Sequence, residues 1–297
     1  MVSYNNGNYR VVFFSDGTKI RTTKDDEFIP DFAENCDVKI TDKCSQNCPF
    51  CYEGCKTEGS HGDILSYKFL ETLHPYTELA INGNDLDHPQ LLDFLKLMKA
   101  KKIFANMTVN QRQFVSNYEK IVDLSNQKLV RGIGVSLQHA DPTFIEKIKS
   151  VKNTVLHTIN GVLTEDDINQ LKDNGLKLLI LGYKELKRGI SFKSDNLKTI
   201  EKNSKYLYDN IKDVLNMFEI VSFDNLAIEQ LEIKRILSDE EWEKFYMGND
   251  GDFTFYIDMV KGEFAKNSLS QERYEIGNKS IDEMFNIIKN SKHEANN

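Results

Sequence analysis

Short apolar runs alternate along the chain with stretches whose apolar positions recur every three or four residues, the pattern of strands separated by helices. The runs are DVKIT (37–41), ELAI (78–81), KIFANMTV (102–109), LVRGIGVSL (129–137), NTVLHTI (153–159) and LKLLIL (176–181). Between them, SYKFLETLH and QFVSNYEKIVDL read as helices. HPQLLDFLKLMKA carries Pro89 near its first turn and Leu91, Phe94, Leu95 and Met98 at helical spacing. Asp141 is placed to cap the helix of DPTFIEKIKS. Thr164 caps EDDINQLKDN, and Gly175 sits where a C-cap glycine is expected. Six strands joined in this way predict an α/β fold with a parallel sheet. With right-handed crossovers, the expected shape is a partial (β/α)6 TIM-like barrel over residues 36–190.

Two segments flank this core. In residues 1–35, YRVVFF and TKIRTT predict a β-hairpin turning at Ser15-Asp16-Gly17, and EFIPDFAEN is a connector. In residues 191–297 the rhythm breaks. Two helical stretches, LKTIEKNSKYLYDNIKDVLNMF and LSDEEWEKFYM, precede the β-like FTFYID (253–258), so an α+β C-terminal extension packed on the barrel is expected.

Composition narrows the class. Apolar residues make up 40% and charged residues 28%, which suits a globular chain with a sizeable core. The net charge of −8 comes from 38 basic and 46 acidic residues mixed along the chain, which argues against a nucleic-acid footprint. Every apolar run falls short of the roughly 20 residues a membrane helix needs. MVSYNNGNYR has neither the basic start nor the apolar centre of a signal peptide, so a cytoplasmic protein is expected.

That expectation bears on the cysteines, because clustered thiols in a reducing compartment bind metal or do catalysis more often than they pair. All five lie between residues 36 and 55, and four fall within TDKCSQNCPFCYEGC (41–55). Cys44, Cys48 and Cys51 are spaced x3 then x2 in one loop leaving a strand. Such a loop can wrap one corner of a cuboidal iron–sulfur cluster, each sulfur reaching a different iron. Two rivals would use Cys55: a closed zinc site, which normally shows separated cysteine pairs, and a ferredoxin-type run, which has a shorter first spacing and a proline where Lys56 stands. Cys36 and Cys55 are expected to be small buried or loop thiols.

C-x3-C-x2-C with Phe50 before the third cysteine, leaving the first strand, resembles the radical S-adenosylmethionine (SAM) superfamily over residues 36–190. The resemblance implies a [4Fe–4S] cluster on Cys44, Cys48 and Cys51, with one iron open to the amino and carboxylate groups of SAM. It implies reductive cleavage of SAM to a 5′-deoxyadenosyl radical that takes hydrogen from a substrate, and a reducing partner such as flavodoxin or ferredoxin. Phe50 would border the adenine. In INGNDLDHP, Asn82, Gly83 and Asn84 fall on the Gly-Gly-Glu positions of the motif that holds the methionine end, and His88-Pro89 matches the family's His-Pro. Asn84 can accept a hydrogen bond but lacks the charge of the family's glutamate. Thr108 and Asn110 match the polar end of the third strand, and Ser136 and Gln138 that of the fourth. Gly161 fits part of the adenine-side motif, whose glutamate position is Thr164 here.

Lys184, Lys187 and Arg188, after the sixth strand, read either as contacts to an anionic group at the barrel mouth or as a solvated basic loop. His139 and His157 read as structural. The extension has no cysteine where one peptide-modifying subgroup of the family keeps auxiliary clusters, so a single cluster is expected. The substrate implied is a peptide or a small molecule. A non-catalytic closed four-cysteine metal site and a degenerate radical SAM fold are the alternatives.

Overall fold

Period-two burial in the strands and apolar stripes on the helices assemble the chain, and the computed structural model describes residues 1–82 and 85–294. The chain begins with β1 (Val2–Asn6), β2 (Tyr9–Phe13) and β3 (Lys19–Thr22), an antiparallel three-stranded sheet rather than a hairpin. The added strand is polar, VSYNN, and shows no apolar run. Its turn does carry a local signal: Gly7, first of the two turn residues, takes φ +57°, as a two-residue hairpin with glycine first requires.

The second sheet is larger. Its strands are β4 (Asn35–Lys39), β5 (Glu78–Asn82), β6 (Phe104–Asn110), β7 (Gly132–Ser136), β8 (Thr154–Ile159), β9 (Lys177–Leu181), β10 (Ile220–Phe223), β11 (Thr254–Asp258), β12 (Glu263–Ala265) and β13 (Tyr274–Glu275). From edge to edge the order is β10-β9-β8-β7-β6-β5-β4-β11-β12-β13. Pairing is parallel from β10 through β11 and antiparallel beyond it. The six expected strands are all present in this mixed α/β fold. Residues 191–297 do more than pack on the sheet, since β10 extends one edge and β11 lies beside β4 on the other.

The helices are α1 (Leu91–Ala100), α2 (Gln111–Ser116), α3 (Tyr118–Asn126), α4 (Pro142–Lys149), α5 (Glu165–Leu171), α6 (Arg188–Asn216), α7 (Asn225–Gln230), α8 (Asp239–Phe245) and α9 (Ile281–Glu294). Asp141 caps α4 by accepting from the Phe144 amide, and Thr164 forms a capping box with Asp167. Three expectations are corrected. SYKFLETLH forms only a 3-10 turn at Lys68–Thr72, and QFVSNYEKIVDL is split at Asn117 into α2 and α3. Gly175 lies beyond the end of α5, which stops at Leu171, and serves the turn into β9 with φ +65°.

One face of the large sheet joins the helices in a continuous core that includes Val38, Ile81, Phe94, Met107, Phe114, Val135, Phe144, Leu156 and Ile180. Parallel strands covered on both faces normally carry apolar residues on both. Here the opposite face carries Asp37, Asn82, Asn106, Thr108, Asn110, Ser136 and His157, none of them in the buried class. Polar positions in alternate register across adjacent strands mark the lining of a site rather than a second core.

Candidate functional site

The cysteine loop leaves the C-terminal end of β4 and is held by its own backbone. The Cys44 amide donates to the Lys56 carbonyl at 2.8 Å, Lys56 donates to the Asp42 carbonyl at 3.0 Å, and the amides of Cys51 and Gly54 close turns on Cys48 and Cys51. Gly54 takes φ +65°, a backbone conformation that favours glycine, and it packs under the Lys187 side chain. Beneath the loop Lys39, 2% exposed, meets three carboxylates: Asp42 at 2.5 Å, Glu53 at 2.9 Å and Asp258 at 3.5 Å. These charges outweigh the burial that opposes them and raise the lysine's pKa. Glu53 is part of the loop, so the ion network ties the loop to β4 and β11.

Cys44, Cys48 and Cys51 are half-buried and within electrostatic reach of one another, and each sulfur has a donor aimed at it. The Asn110 amide donates to Cys48 Sγ at 3.4 Å, backbone N–H groups of Gln46 and Asn47 face Cys44, and those of Gly54 and Cys55 face Cys51. Burial pushes the thiols of Cys44 and Cys48 up. Cys51 moves the other way, chiefly because of the adjacent Cys55 thiol, and the same neighbour pushes Cys55 up; the Cys55 thiol donates to the Thr41 carbonyl at 3.9 Å. Cys55 is thus a buried thiol, as expected, but one that contacts a thiol of the loop. Cys36 lies in the core on the opposite face of β4.

The remaining sequence-predicted residues fall around this loop to different degrees. Phe50 meets Phe192 of α6 edge-on, with ring centroids 5.6 Å apart. Asn82, Asn110 and Ser136 stand at the C-terminal ends of adjacent strands, and Asn110 also caps α2 by accepting from Arg112. Thr108 lies deeper, beside His157 over Gly134, whose missing side chain makes room for both. The Gln138 amide donates to Gln111 Oε1 at 2.8 Å. Gly161 packs against α6, where Asn203 donates to its carbonyl at 3.1 Å and a Cβ would meet Ile200 at 2.7 Å. Gly83 and Asn84 lie outside the described residues.

His88 is structural: buried, its Nε2 bonds the Gly62 carbonyl and its Nδ1 accepts from the Gln90 amide. Burial also pushes the His157 imidazole down to about 4, so it is neutral at neutral pH. His139 is largely exposed, with Nδ1 3.5 Å from Asp167.

Two groups of residues that the sequence pattern does not place contribute to the site. The first is the basic run after β9, for which the sequence left two readings open and which reaches the cysteine loop. Lys184 stands 4.2 Å over the Tyr52 ring, Lys187 donates to the Glu53 carbonyl at 2.5 Å, and Arg188 donates to the carbonyls of Cys48 and Cys55, each at 3.0 Å. The second is Asp37, open to water on the polar face of β4 yet surrounded by protein. Burial pushes its carboxyl up to about 6, with Lys184 opposing and Asp250 and Asp224 adding to the rise. Its signal in the sequence is a charge in the middle of an apolar parallel strand.

A raised carboxyl pKa means the folded chain binds the extra proton between the unfolded value of 3.8 and about 6, so this contribution to stability is full below 3.8 and is lost as pH rises through 6. Asp37→Asn is therefore expected to stabilise the chain at pH 8 and to give little gain at pH 4. The gain should be on the order of 1 kcal/mol, because Asp37 is exposed and solvent screens its charge. Urea unfolding of both proteins at the two pH values checks it, and an equal gain at both would refute the ionisation argument.

No family model matches the chain, and no curated protein matches it in sequence. Among solved structures, SuiB of Streptococcus suis bound to precursor peptide SuiA matches with a TM-score of 0.60 and 14% identity over 86% of this chain. SuiB bound to S-adenosylmethionine matches with 0.58 and 13% over the same share. The chain shares the fold of these SuiB structures. The chain spans just under two thirds of the SuiB chains it matches, 65% and 66%.

The donor set of the cysteine loop suits an iron–sulfur cluster. Three thiols on one loop, each with an N–H aimed at sulfur, provide the ligands and the hydrogen bonds that iron–sulfur sites use. Among the described residues, no three His, Cys, Asp or Glu side chains are grouped for a single metal ion.

Proposed function

We propose that this chain is a radical SAM enzyme with a single [4Fe–4S] cluster. The observation that carries the reading is the position of the three-thiol loop: it leaves β4 at the C-terminal end of a parallel sheet, and the polar ends of adjacent strands face it. In this reading Cys44, Cys48 and Cys51 hold the cluster, and Asn110 fixes Cys48. Phe50 borders the adenine, Asn82, Gly83 and Asn84 hold the methionine end, and Thr108, Ser136, Gln138 and Gly161 complete the cofactor pocket. When bound, the cluster and SAM supply a 5′-deoxyadenosyl radical. The protein supplies orientation and exclusion of water.

The sheet from β4 to β9 is read as the partial (β/α)6 barrel of residues 36–190, with 1–35 and 191–297 as flanking units. A peptide is the favoured substrate, since SuiB is bound to a precursor peptide in one of the matching structures. The polar face of the sheet, with Asp37 and the neutral His157, is where it would lie. A small reducing protein such as flavodoxin or ferredoxin and a cytoplasmic setting complete the reading; no helix among the described residues is long and apolar enough to cross a membrane.

The contact between Cys55 and Cys51 favours one other reading, a closed four-thiolate site without catalysis. Electron paramagnetic resonance of the anaerobically reconstituted, reduced protein separates the two. A [4Fe–4S]⁺ signal that changes on addition of SAM is expected. Zinc in place of the cluster would sink the enzyme reading, and a cluster signal indifferent to SAM would favour a fourth protein ligand or a disabled pocket.

A further inference from the structure

The segment from Tyr183 to Phe192 contacts the cysteine loop at several points, and its geometry is unusual in two ways. Lys187 takes φ +48° and ψ −117°, a strained region that a non-glycine residue enters only when its surroundings hold it there. Arg188, immediately after, is the first residue of α6, which is kinked at Asn196, and a cation in a first helical turn opposes the helix dipole. Both local penalties place one guanidinium between two carbonyls. Nε bonds Cys48 and Nη1 bonds Cys55, two backbone points that flank Cys51. A planar fork with fixed N–H directions can bridge such a pair, whereas a lysine ammonium on a flexible stem cannot hold both directions at once. The neighbours reinforce the contact: Tyr183 bonds the Gly189 carbonyl at 2.7 Å, Lys187 reaches Glu53, and Phe192 packs on Phe50.

We propose that Arg188 is the positioning residue of the cysteine loop. Its fork sets the separation of Cys48 and Cys55 before any cluster arrives, and its charge stabilises the more negative, reduced state of the cluster once it is bound. This inference rests on the radical SAM reading for its second half only, because the first half concerns the loop of the metal-free chain.

The test uses the full chain and two variants, Arg188→Met and Arg188→Lys. In the metal-free chain, amide hydrogen exchange over residues 44–56 is expected to accelerate by at least about tenfold in both variants, since neither can bridge the two carbonyls. Exchange in β6, β7 and β8 is expected to stay unchanged. General acceleration across those strands in both variants would show a global folding role and overturn the assignment, as would loop exchange within about twofold of the parent. After anaerobic reconstitution, the midpoint potential is expected to fall in Arg188→Met and to return towards the parent value in Arg188→Lys, which restores charge without the fork. An unmoved potential in Arg188→Met would overturn the electrostatic half. If the parent itself takes up no cluster, the enzyme reading and that half fail together, while the exchange result still decides the loop.

Discussion

Replacing Cys44, Cys48 or Cys51 by Ala, one at a time, is expected to abolish formation of 5′-deoxyadenosine from SAM, a loss of at least about 1,000-fold for chemistry that has no slower protein-only route. Each of the three thiols is half-buried in the one loop, and of the two other cysteines Cys36 lies in the core on the opposite face of β4. Cys55→Ala is expected to behave differently. Its thiol is buried and donates to the Thr41 carbonyl at 3.9 Å, which gives it a protein partner of its own. Iron and sulfide content of the four reconstituted variants, read beside 5′-deoxyadenosine release, decides the matter. Retention of cluster and turnover in any one of the three single variants would remove that cysteine from the site. Complete loss in Cys55→Ala would make it a fourth ligand and favour the closed metal site.

The second large effect is on stability. Glu34→Ala is expected to cost about 3–5 kcal/mol in urea unfolding, the range for removing one partner of a buried charge network. Glu34, 1% exposed, accepts from Arg21 at 2.8 Å and from the Tyr9 hydroxyl at 2.6 Å, with Lys19 at 3.2 Å. Lys19 continues to Glu78 of β5, and Arg21 stacks 3.7 Å from the centre of the Phe253 ring. The network therefore fastens the N-terminal sheet to the start of β4, to β5 and to the segment before β11. Burial pushes the Glu34 carboxyl up, but Lys19 and Arg21 outweigh it and hold the pKa below the ordinary value of 4.5. Stability from this group is therefore fully present above 4.5 and is lost as pH falls through the lowered folded value. The difference between parent and variant should narrow as acid is added. A cost under about 1 kcal/mol at pH 7 would mean that Lys19 and Arg21 find other partners or water.

Much of the fold is legible in the order of residues. The strand rhythm from 37 to 181 follows from period-two burial, the caps at Asp141 and Thr164 follow from side-chain chemistry within three residues, and the thiol spacing marks the loop. Features without a local signature are not legible. The strand β1 is polar because its alternate side chains face water, and β10 is four residues between two helices. The split at Asn117 separates α2 from α3 inside what reads as one amphipathic stretch. In the candidate site, Asn110 is legible because it ends a strand in phase with its neighbours. Arg188 is not, because its partners are backbone carbonyls 140 and 133 residues away, and a carbonyl leaves no mark in a sequence.

By itself, the sequence determined what short-range physics controls: the alternation of elements, the turns and caps, and the clustering of thiols after a strand. Tertiary structure alone decided which distant pieces meet. It placed β11 beside β4, drew the strands of residues 191–297 into both sides of one sheet, and set the basic run after β9 as a brace on the cysteine loop. Such pairings are selected by the burial and hydrogen bonding of the whole assembly against the entropy of closing long loops, a balance that no local window of the chain contains.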